Sequence, residues 1–288
     1  MSAVEIFEVG PRDGLQNETR QIPTADKVAL IDCLSTAGFR RIEAASFISP
    51  RWVPQMADSD EVMARITRVP GVRYAALTPN MRGFERSQRA EADEVAVFAS
   101  ASEGFSQANL NCSISESLSR YRDILWAASV QDVQVRGYIS CVTDCPFDGK
   151  TPPEKVAEIA DALYDMGCYE ISLGDTLGHG TPDTVSAMLN AVLQAVPAAN
   201  LAGHFHDTLG HALRNIDGSL DAGLRVFDAA VGGLGGCPYA PGATGNVATE
   251  SVHEHLVKAG WTTGLDPVIL REAAAMARAM RGVERDAG

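Results

Sequence analysis

The sequence is short of basic residues: 24 Lys and Arg stand against 37 Asp and Glu, a formal charge of −13. No run of Lys or Arg makes the basic stripe of a nucleic-acid-binding domain, so no nucleic-acid partner is expected. The acidic excess bears on solubility and not on fold. An anionic ligand would need arginines gathered locally to overcome it. No apolar run approaches the roughly 20 residues of a membrane-spanning helix, so no membrane partner is expected either. The stretch MSAVEIFEVGPRDG has no basic segment followed by a long apolar one, and does not read as a secretory signal. The six cysteines, at 33, 112, 141, 145, 168 and 237, are scattered. They do not form the dense framework of a small disulfide-linked domain. Cys141 and Cys145 are spaced C-x3-C without the second pair a structural zinc site needs. Reduced thiols in a cytoplasmic protein are the expectation. Fixed-period repeats and low-complexity segments are absent.

What the chain does have is length and alternation. Its 288 residues, 45% hydrophobic, suffice for one large core. Short apolar runs recur at 4–9, 41–46, 72–77, 94–100, 133–142, 169–175, 200–207 and 225–231, followed by helix-compatible segments. The helix at 24–38 has Thr24 as its expected N-cap and Gly38 as its stop. Those at 151–167 and 181–196 follow the fifth and sixth strands, the first with Pro in its opening turn and Gly after its end. Eight strand-then-helix units predict a single-domain α/β fold, a (β/α)8 TIM barrel over about 4–258. A C-terminal helical extension, about 259–288, includes an apolar-striped helix at 266–282 that would pack against the barrel. The competing doubly wound sheet would carry a glycine-rich dinucleotide turn after its first strand. The EVGPRDG stretch found there is not that fingerprint.

In a TIM barrel the active site is built at the C-terminal ends of the strands. The stretch GHFHD (203–207) puts His204 and His206 at the end of the seventh. Residues i and i+2 of a strand share a face, so both imidazoles point one way and Phe205 the other. They read equally as a metal-binding pair or as two satisfied polar histidines at a loop edge. In GPRDGLQNE (10–18), Arg12 and Asp13 stand between two glycines directly after the first strand. Strands one and seven flank strand eight in a closed barrel, so Asp13 can complete a set with the histidines. Two imidazoles and a carboxylate with open positions suit a divalent cation that also holds a substrate oxygen. The eighth-strand loop, GGLGGCPYAPGATGN (232–246), has the glycine content of a mobile lid, with Cys237 as acid–base thiol or nucleophile. Asn246 at its end offers a carbonyl oxygen as a fourth ligand. Glu43, among apolar neighbours on the second strand, needs a partner if it faces inward, and Arg12 is the natural one. Ser172 and Asp175 on the sixth strand could orient His204 or touch substrate. Each of these positions also admits a bland reading as turn, surface or structural residue.

Taken together, EVGPRDGLQNE, IEAASFISPRWVPQM, NLNCSISES, GCYEISLGDTLGHGTP, HFHDTLGHAL and GLGGCPYAPGATGN resemble the 3-hydroxy-3-methylglutaryl-CoA lyase family, from about residue 4 to residue 257. That family belongs to the metal-dependent lyases and synthases built on a (β/α)8 barrel. The resemblance implies magnesium or manganese ligated by Asp13, His204, His206 and Asn246. It implies that Arg12 stabilises an enolate, that Glu43 supports the cluster and that Cys237 transfers a proton. Asn109, Ser172 and Asp175 fall in matching active-site segments and would contact substrate. The implied reaction is retro-Claisen cleavage of (S)-3-hydroxy-3-methylglutaryl-CoA to acetyl-CoA and acetoacetate. The implied partners are an acyl-CoA substrate and further copies of the chain in a dimer or tetramer.

Some positions depart from the family pattern. Thr143 and Asp144 replace smaller or apolar residues, Thr19 a frequent lysine, and His211 a commoner glutamine. The C-terminal cysteine of animal forms is absent. These changes leave room for a related acyl-CoA with a longer 3-alkyl branch. A condensing or aldol enzyme of the same superfamily is the alternative; the cysteine-bearing loop speaks against it. A catalytically silent metal- or acyl-CoA-binding barrel is a third reading. It would be expected to have lost one of Arg12, Asp13, Glu43, His204, His206, Cys237 and Asn246, and all are present.

Overall fold

The computed structural model describes residues 3–236 and 245–281. Among them, eight parallel strands close into a barrel, each beside its sequence neighbours and β8 beside β1. The strands are β1 (Glu5–Glu8), β2 (Arg41–Ser46), β3 (Arg73–Leu77), β4 (Glu94–Ser100), β5 (Gln134–Ser140), β6 (Glu170–Asp175), β7 (Leu201–Phe205) and β8 (Val226–Ala229). All eight lie within the apolar runs expected to form them. Every residue of β2 and β6 is buried, as a sheet covered on both faces requires.

The helices run α1 (Thr24–Ser35), α2 (Ser59–Arg65), α3 (Met81–Arg89), α4 (Glu103–Leu110), α5 (Ile114–Val130), α6 (Pro153–Asp165), α7 (Pro182–Val192), α8 (Ala212–Asp221), α9 (Thr249–Lys258) and α10 (Pro267–Arg281). The fourth unit holds two helices, α4 and α5. A short antiparallel hairpin pairs Asp144 with Lys150 between β5 and α6, which strand periodicity did not reveal. Capping chemistry sets several starts. Ser113 and Glu116 make a reciprocal capping box on α5, and Thr181 and Thr184 do the same on α7. Thr24 is not the cap of α1. Pro23 takes that position in extended conformation, and the Thr24 hydroxyl donates instead to Asp58 Oδ2 at 2.8 Å. The carboxylate from the next unit is the stronger acceptor, and draws the hydroxyl away from its own helix.

α10 packs on α1, α9 and the turn Val231–Gly233, burying Leu270, Ala273, Ala274, Ala277 and Met280. It is therefore part of the barrel's helical shell.

The barrel interior departs from the usual filling of branched apolar side chains. Arg41, Arg136, Glu94, Glu170 and Asp228 are all buried inside. Arg41 pairs with Glu5 at 2.6 Å and with Glu170 at 2.9 Å. Glu170 pairs with Arg136 at 2.6 Å, and Arg136 with Asp228 at 2.7 Å. The Phe7 ring lies between the two guanidiniums, 4.7 Å from Arg41 and 4.6 Å from Arg136. Each buried charge would cost several kcal/mol unpaired, so the chain of partners is what permits them.

α1 ends at Ser35 with Thr36 as its C-cap, short of the expected stop; Gly38 instead turns the chain beyond the helix at φ +98°, and a Cβ there would sit 2.4 Å from the Gly264 carbonyl oxygen. Left-handed backbone and overpacking together make Gly38→Ala cost about 2–4 kcal/mol. Thermal unfolding followed by circular dichroism should show a fall of several degrees in Tm; an unchanged Tm would contradict this account of the turn.

Candidate active site

The first element of the site is the tight turn Gly10–Gly14 that follows β1. The amides of Arg12, Asp13 and Gly14 all donate to the Val9 carbonyl, which curls the chain back over the barrel mouth. Glu8 reinforces the turn. Its buried carboxyl accepts from the Gly10 amide at 2.8 Å, the Val231 amide at 2.9 Å and the Thr249 hydroxyl at 2.7 Å. Burial nevertheless dominates, and pushes the Glu8 pKa up to about 7.

Arg12 is 5% exposed and turns into the barrel. Its Nε donates to Glu43 Oε2 at 2.7 Å and its NH1 to Asp13 Oδ1 at 2.7 Å. Its guanidinium lies 5.4 Å from the Tyr138 ring centre, and the Tyr138 hydroxyl donates to the same Glu43 oxygen at 3.2 Å. Glu43 thus has the partner its buried position demands. Burial still raises its pKa, with Arg12 opposing. Burial also works against ionisation of Asp13, yet Arg12 and His204 hold that carboxyl below the usual range.

His204 and His206 are both 8% exposed, with ring centres 5.5 Å apart. One ligand atom from each of Asp13, His204 and His206 lies within 4.8 Å of the others. His204 Nδ1 stands 3.1 Å from Asp228 Oδ2, and its Nε2 stands 4.0 Å from Asp13 Oδ2. Asp228 is held ionised, so Nδ1 carries the proton and the Nε2 lone pair is left facing Asp13. Burial alone would depress His204, but Asp228 and then Asp13 raise its pKa above the ordinary histidine value. Burial and the charge of His204 lower His206 to about 4.

Two observations test whether a divalent cation fits here. His206 Nδ1 is buried without a hydrogen-bond partner among the described residues, while the ring bonds the Thr176 backbone. The donor set, two imidazole nitrogens and one carboxylate, is the kind a divalent metal takes. The residues fit. Asn246 lies alongside, bridged by backbone to His206, with Nδ2 donating to Asp13 Oδ2 at 2.8 Å and to the Leu234 carbonyl at 3.2 Å. The amide nitrogen, rather than the oxygen expected as fourth ligand, faces Asp13, because an ionised carboxylate draws a donor.

The structure thus gathers Arg12, Asp13, Glu43, His204, His206 and Asn246 at one end of the barrel. Cys237 lies outside the described residues. Orientation of His204, expected of Ser172 or Asp175, falls instead to Asp228. Ser172, fully buried, stands behind it and donates to Asp228 Oδ2 at 2.7 Å. Asp175 points elsewhere, accepting from the Thr143 hydroxyl at 2.6 Å and the Gly180 amide at 2.8 Å. Asn109 is exposed near the end of α4, and no hydrogen bond joins it to the cluster among the described residues. Asp228, Arg136 and Tyr138 were missed in the sequence. The available signal was the one that picked out Glu43: a polar side chain in alternation with apolar residues on a strand buried on both faces.

With the geometry in place, comparison with known proteins defines the class. Residues 3–277 match the HMGL-like family profile, and the chain belongs to that family. It is similar to the hydroxymethylglutaryl-CoA lyase of Pseudomonas mevalonii, 55% identical over 266 residues, 92% of this chain and 88% of that one. It is 56% identical over 270 residues to the 3-hydroxy-3-isohexenylglutaryl-CoA/hydroxy-methylglutaryl-CoA lyase of Pseudomonas aeruginosa, covering 94% and 90% of the two chains. The crystal structure of the HMG-CoA lyase from Brucella melitensis superposes with a TM-score of 0.97 at 58% identity, over 98% of this chain and all 100% of the other.

Replacing Asp228 by Asn removes the charge that holds the His204 proton. The His204 pKa should fall in Asp228→Asn, read from the midpoint of its ring resonance in an NMR pH titration. Stability should drop by about 3–5 kcal/mol, because Arg136 loses a buried counter-charge. An unmoved midpoint would remove Asp228 from this role.

Proposed function

We propose that this protein is a divalent-metal-dependent carbon–carbon lyase, cleaving (S)-3-hydroxy-3-methylglutaryl-CoA to acetyl-CoA and acetoacetate. The observation that carries the proposal is the convergence of an ion-paired, buried Arg12 with the Asp13, His204 and His206 set. The relatives named above, all hydroxymethylglutaryl-CoA lyases by name, point to the same acyl-CoA.

Asp13, His204, His206 and Asn246 would hold magnesium or manganese. Such a cation, when bound, lowers the pKa of a hydroxyl that it ligates. The proton of the tertiary alcohol passes to Asp13 or His204, whose facing atoms are 4.0 Å apart. The C3–O bond becomes the carbonyl of acetoacetate as the C2–C3 bond breaks. The electron pair of that bond moves onto the thioester, giving the enolate of acetyl-CoA. Arg12 stabilises the enolate oxygen. Its charge is fixed in place beforehand by Glu43 and Asp13, so no reorganisation is needed when negative charge arrives. Cys237 then protonates the enolate carbon, an assignment resting on the family resemblance. Ser172 acts through Asp228, while Asp175 and Asn109 remain candidate substrate contacts. One catalytic domain, a cytoplasmic setting and a dimer or tetramer complete the proposal; light scattering reads the last. The described residues include no helix long and apolar enough to cross a membrane.

A second reading is favoured by the Pseudomonas aeruginosa relative, whose name joins the isohexenyl and methyl substrates. On that reading this chain prefers a longer 3-alkyl branch.

The deciding assay follows acetoacetate release from hydroxymethylglutaryl-CoA, and 3-oxo acid release from its longer-branched analogues. Chelator should abolish turnover and Mn2+ or Mg2+ should restore it; full activity in chelator would end the metal-dependent proposal. A higher kcat/KM for the longer branch would favour the second reading. In the same assay Arg12→Ala should lower kcat by about 10²–10³-fold, as for loss of an oxyanion donor, with KM changed far less. A change confined to KM would contradict the role given to Arg12.

A further inference from the structure

We propose that Arg281, at the end of α10, is a positioning residue for the metal-binding cluster, acting through the base of the glycine-rich loop that follows β8. The inference rests on the metal-dependent reading above and extends it to a residue no strand-end motif contains.

The Arg281 guanidinium meets three acceptors. Its Nε donates to Glu18 Oε1 at 2.7 Å, and its NH2 donates to the carbonyls of Gly233 at 2.7 Å and Gly235 at 3.0 Å. Glu18 belongs to the loop after β1 and also accepts from the Gly235 amide at 3.5 Å. One side chain therefore ties the β1 loop to the start of the β8 loop.

Between the two clamped carbonyls lies Leu234, which is fully buried. It touches the cluster by two routes. Its carbonyl accepts from Asn246 Nδ2, which also donates to Asp13. Its Cβ presses on Gly14, the residue after Asp13, where an added Cβ would lie 2.6 Å away. The Gly233–Gly235 segment is thus held between Arg281 on one side and Gly14 with Asn246 on the other. A shift of that segment moves Asn246 and relaxes the turn that aims Asp13.

Two turn hydrogen bonds, from the Gly233 amide to the Ala230 carbonyl at 2.9 Å and from the Leu234 amide to the Val231 carbonyl at 3.2 Å, hold the start of the segment, and its glycines leave the rest free to bend. Gly232, Gly233 and Gly235 have φ of +65°, +61° and +110°, a region glycine enters at no cost and leaves as readily. The first part of the segment is tied elsewhere, the Val231 amide to Glu8 and the Gly232 amide to Glu250. Arg281 supplies the side-chain bonds to the Gly233 and Gly235 carbonyls. α10 is firmly seated for this, since Ala277 packs so close to Gly232 that a Cβ there would lie 3.0 Å from it. Arginine suits the position because its planar fork spans a carboxylate and two carbonyls at once. A lysine ammonium has no such fork.

The test compares wild type, Arg281→Ala, Arg281→Lys and Arg271→Ala, the last an exposed control on the same helix. Mn2+ affinity is measured by electron paramagnetic resonance on the full chain, alongside Tm, kcat and KM. Arg281→Ala should weaken Mn2+ binding about 10–100-fold, the usual effect of removing a residue that supports metal ligands. Its kcat should fall with KM nearly unchanged, and its Tm should stay close to wild type. Added guanidinium ion should restore part of the Mn2+ affinity. Arg281→Lys should remain impaired, and Arg271→Ala should match wild type. Wild-type Mn2+ affinity in Arg281→Ala overturns the inference, as does a loss that merely tracks a falling Tm. If the alanine variant does not fold, the lysine variant decides, and unchanged affinity in it overturns the inference. Wild-type protein that neither binds Mn2+ nor cleaves the acyl-CoA would instead overturn the proposed function, and this inference with it.

Discussion

A single buried carboxylate governs the geometry at the mouth of this barrel. Asp228 accepts from Arg136, Ser172 and His204 at once. With three donors around it the group stays ionised far inside the protein, despite the cost of burial. Its charge decides which nitrogen of His204 carries a proton, and therefore which lone pair faces Asp13. It also joins the rim to the opposite end, through Arg136, Glu170, Arg41 and Glu5. A buried ion pair contributes little net stability. What this chain of pairs contributes is orientation: planar guanidiniums between carboxylates leave few alternative arrangements for the strands that carry them.

The same economy appears around Arg12. Glu43 and Asp13 neutralise it, and Tyr138 lies against its face. An enzyme that must stabilise negative charge on a departing carbon fragment needs a cation already in place. Here the cation is immobilised by groups on β2 and in its own turn. The overall charge of −13 is the reason such a local arrangement is needed, since the surrounding protein repels anions.

Positions that depart from the family pattern fall into two groups. Thr143 is tied to Asp175, the last residue of β6. Asp144 pairs with the half-exposed His179 in the hairpin region. Thr19 is exposed and His211 precedes α8, pairing with Arg214, so neither intrudes on the histidine cluster. The cluster itself is intact among the described residues.

Strand alternation, turn glycines and helix stops are local properties, and they were legible along the chain. The eight strands, the left-handed turn at Gly38 and the shared face of His204 and His206 follow from periodicity and backbone sterics alone. So did the pairing of Glu43 with Arg12, because adjacent strand ends in a closed barrel must meet. The role of Asp228 was not legible. An acid in the run RVFDAAV has no partner in sequence, and its neighbours Arg136, Ser172 and His204 come from three other strands. Neither was the clamp of Arg281, 263 residues from Glu18. Local sequence determines what each segment can be. Which carboxylate takes which proton is decided only when barrel closure brings distant charges within hydrogen-bonding distance.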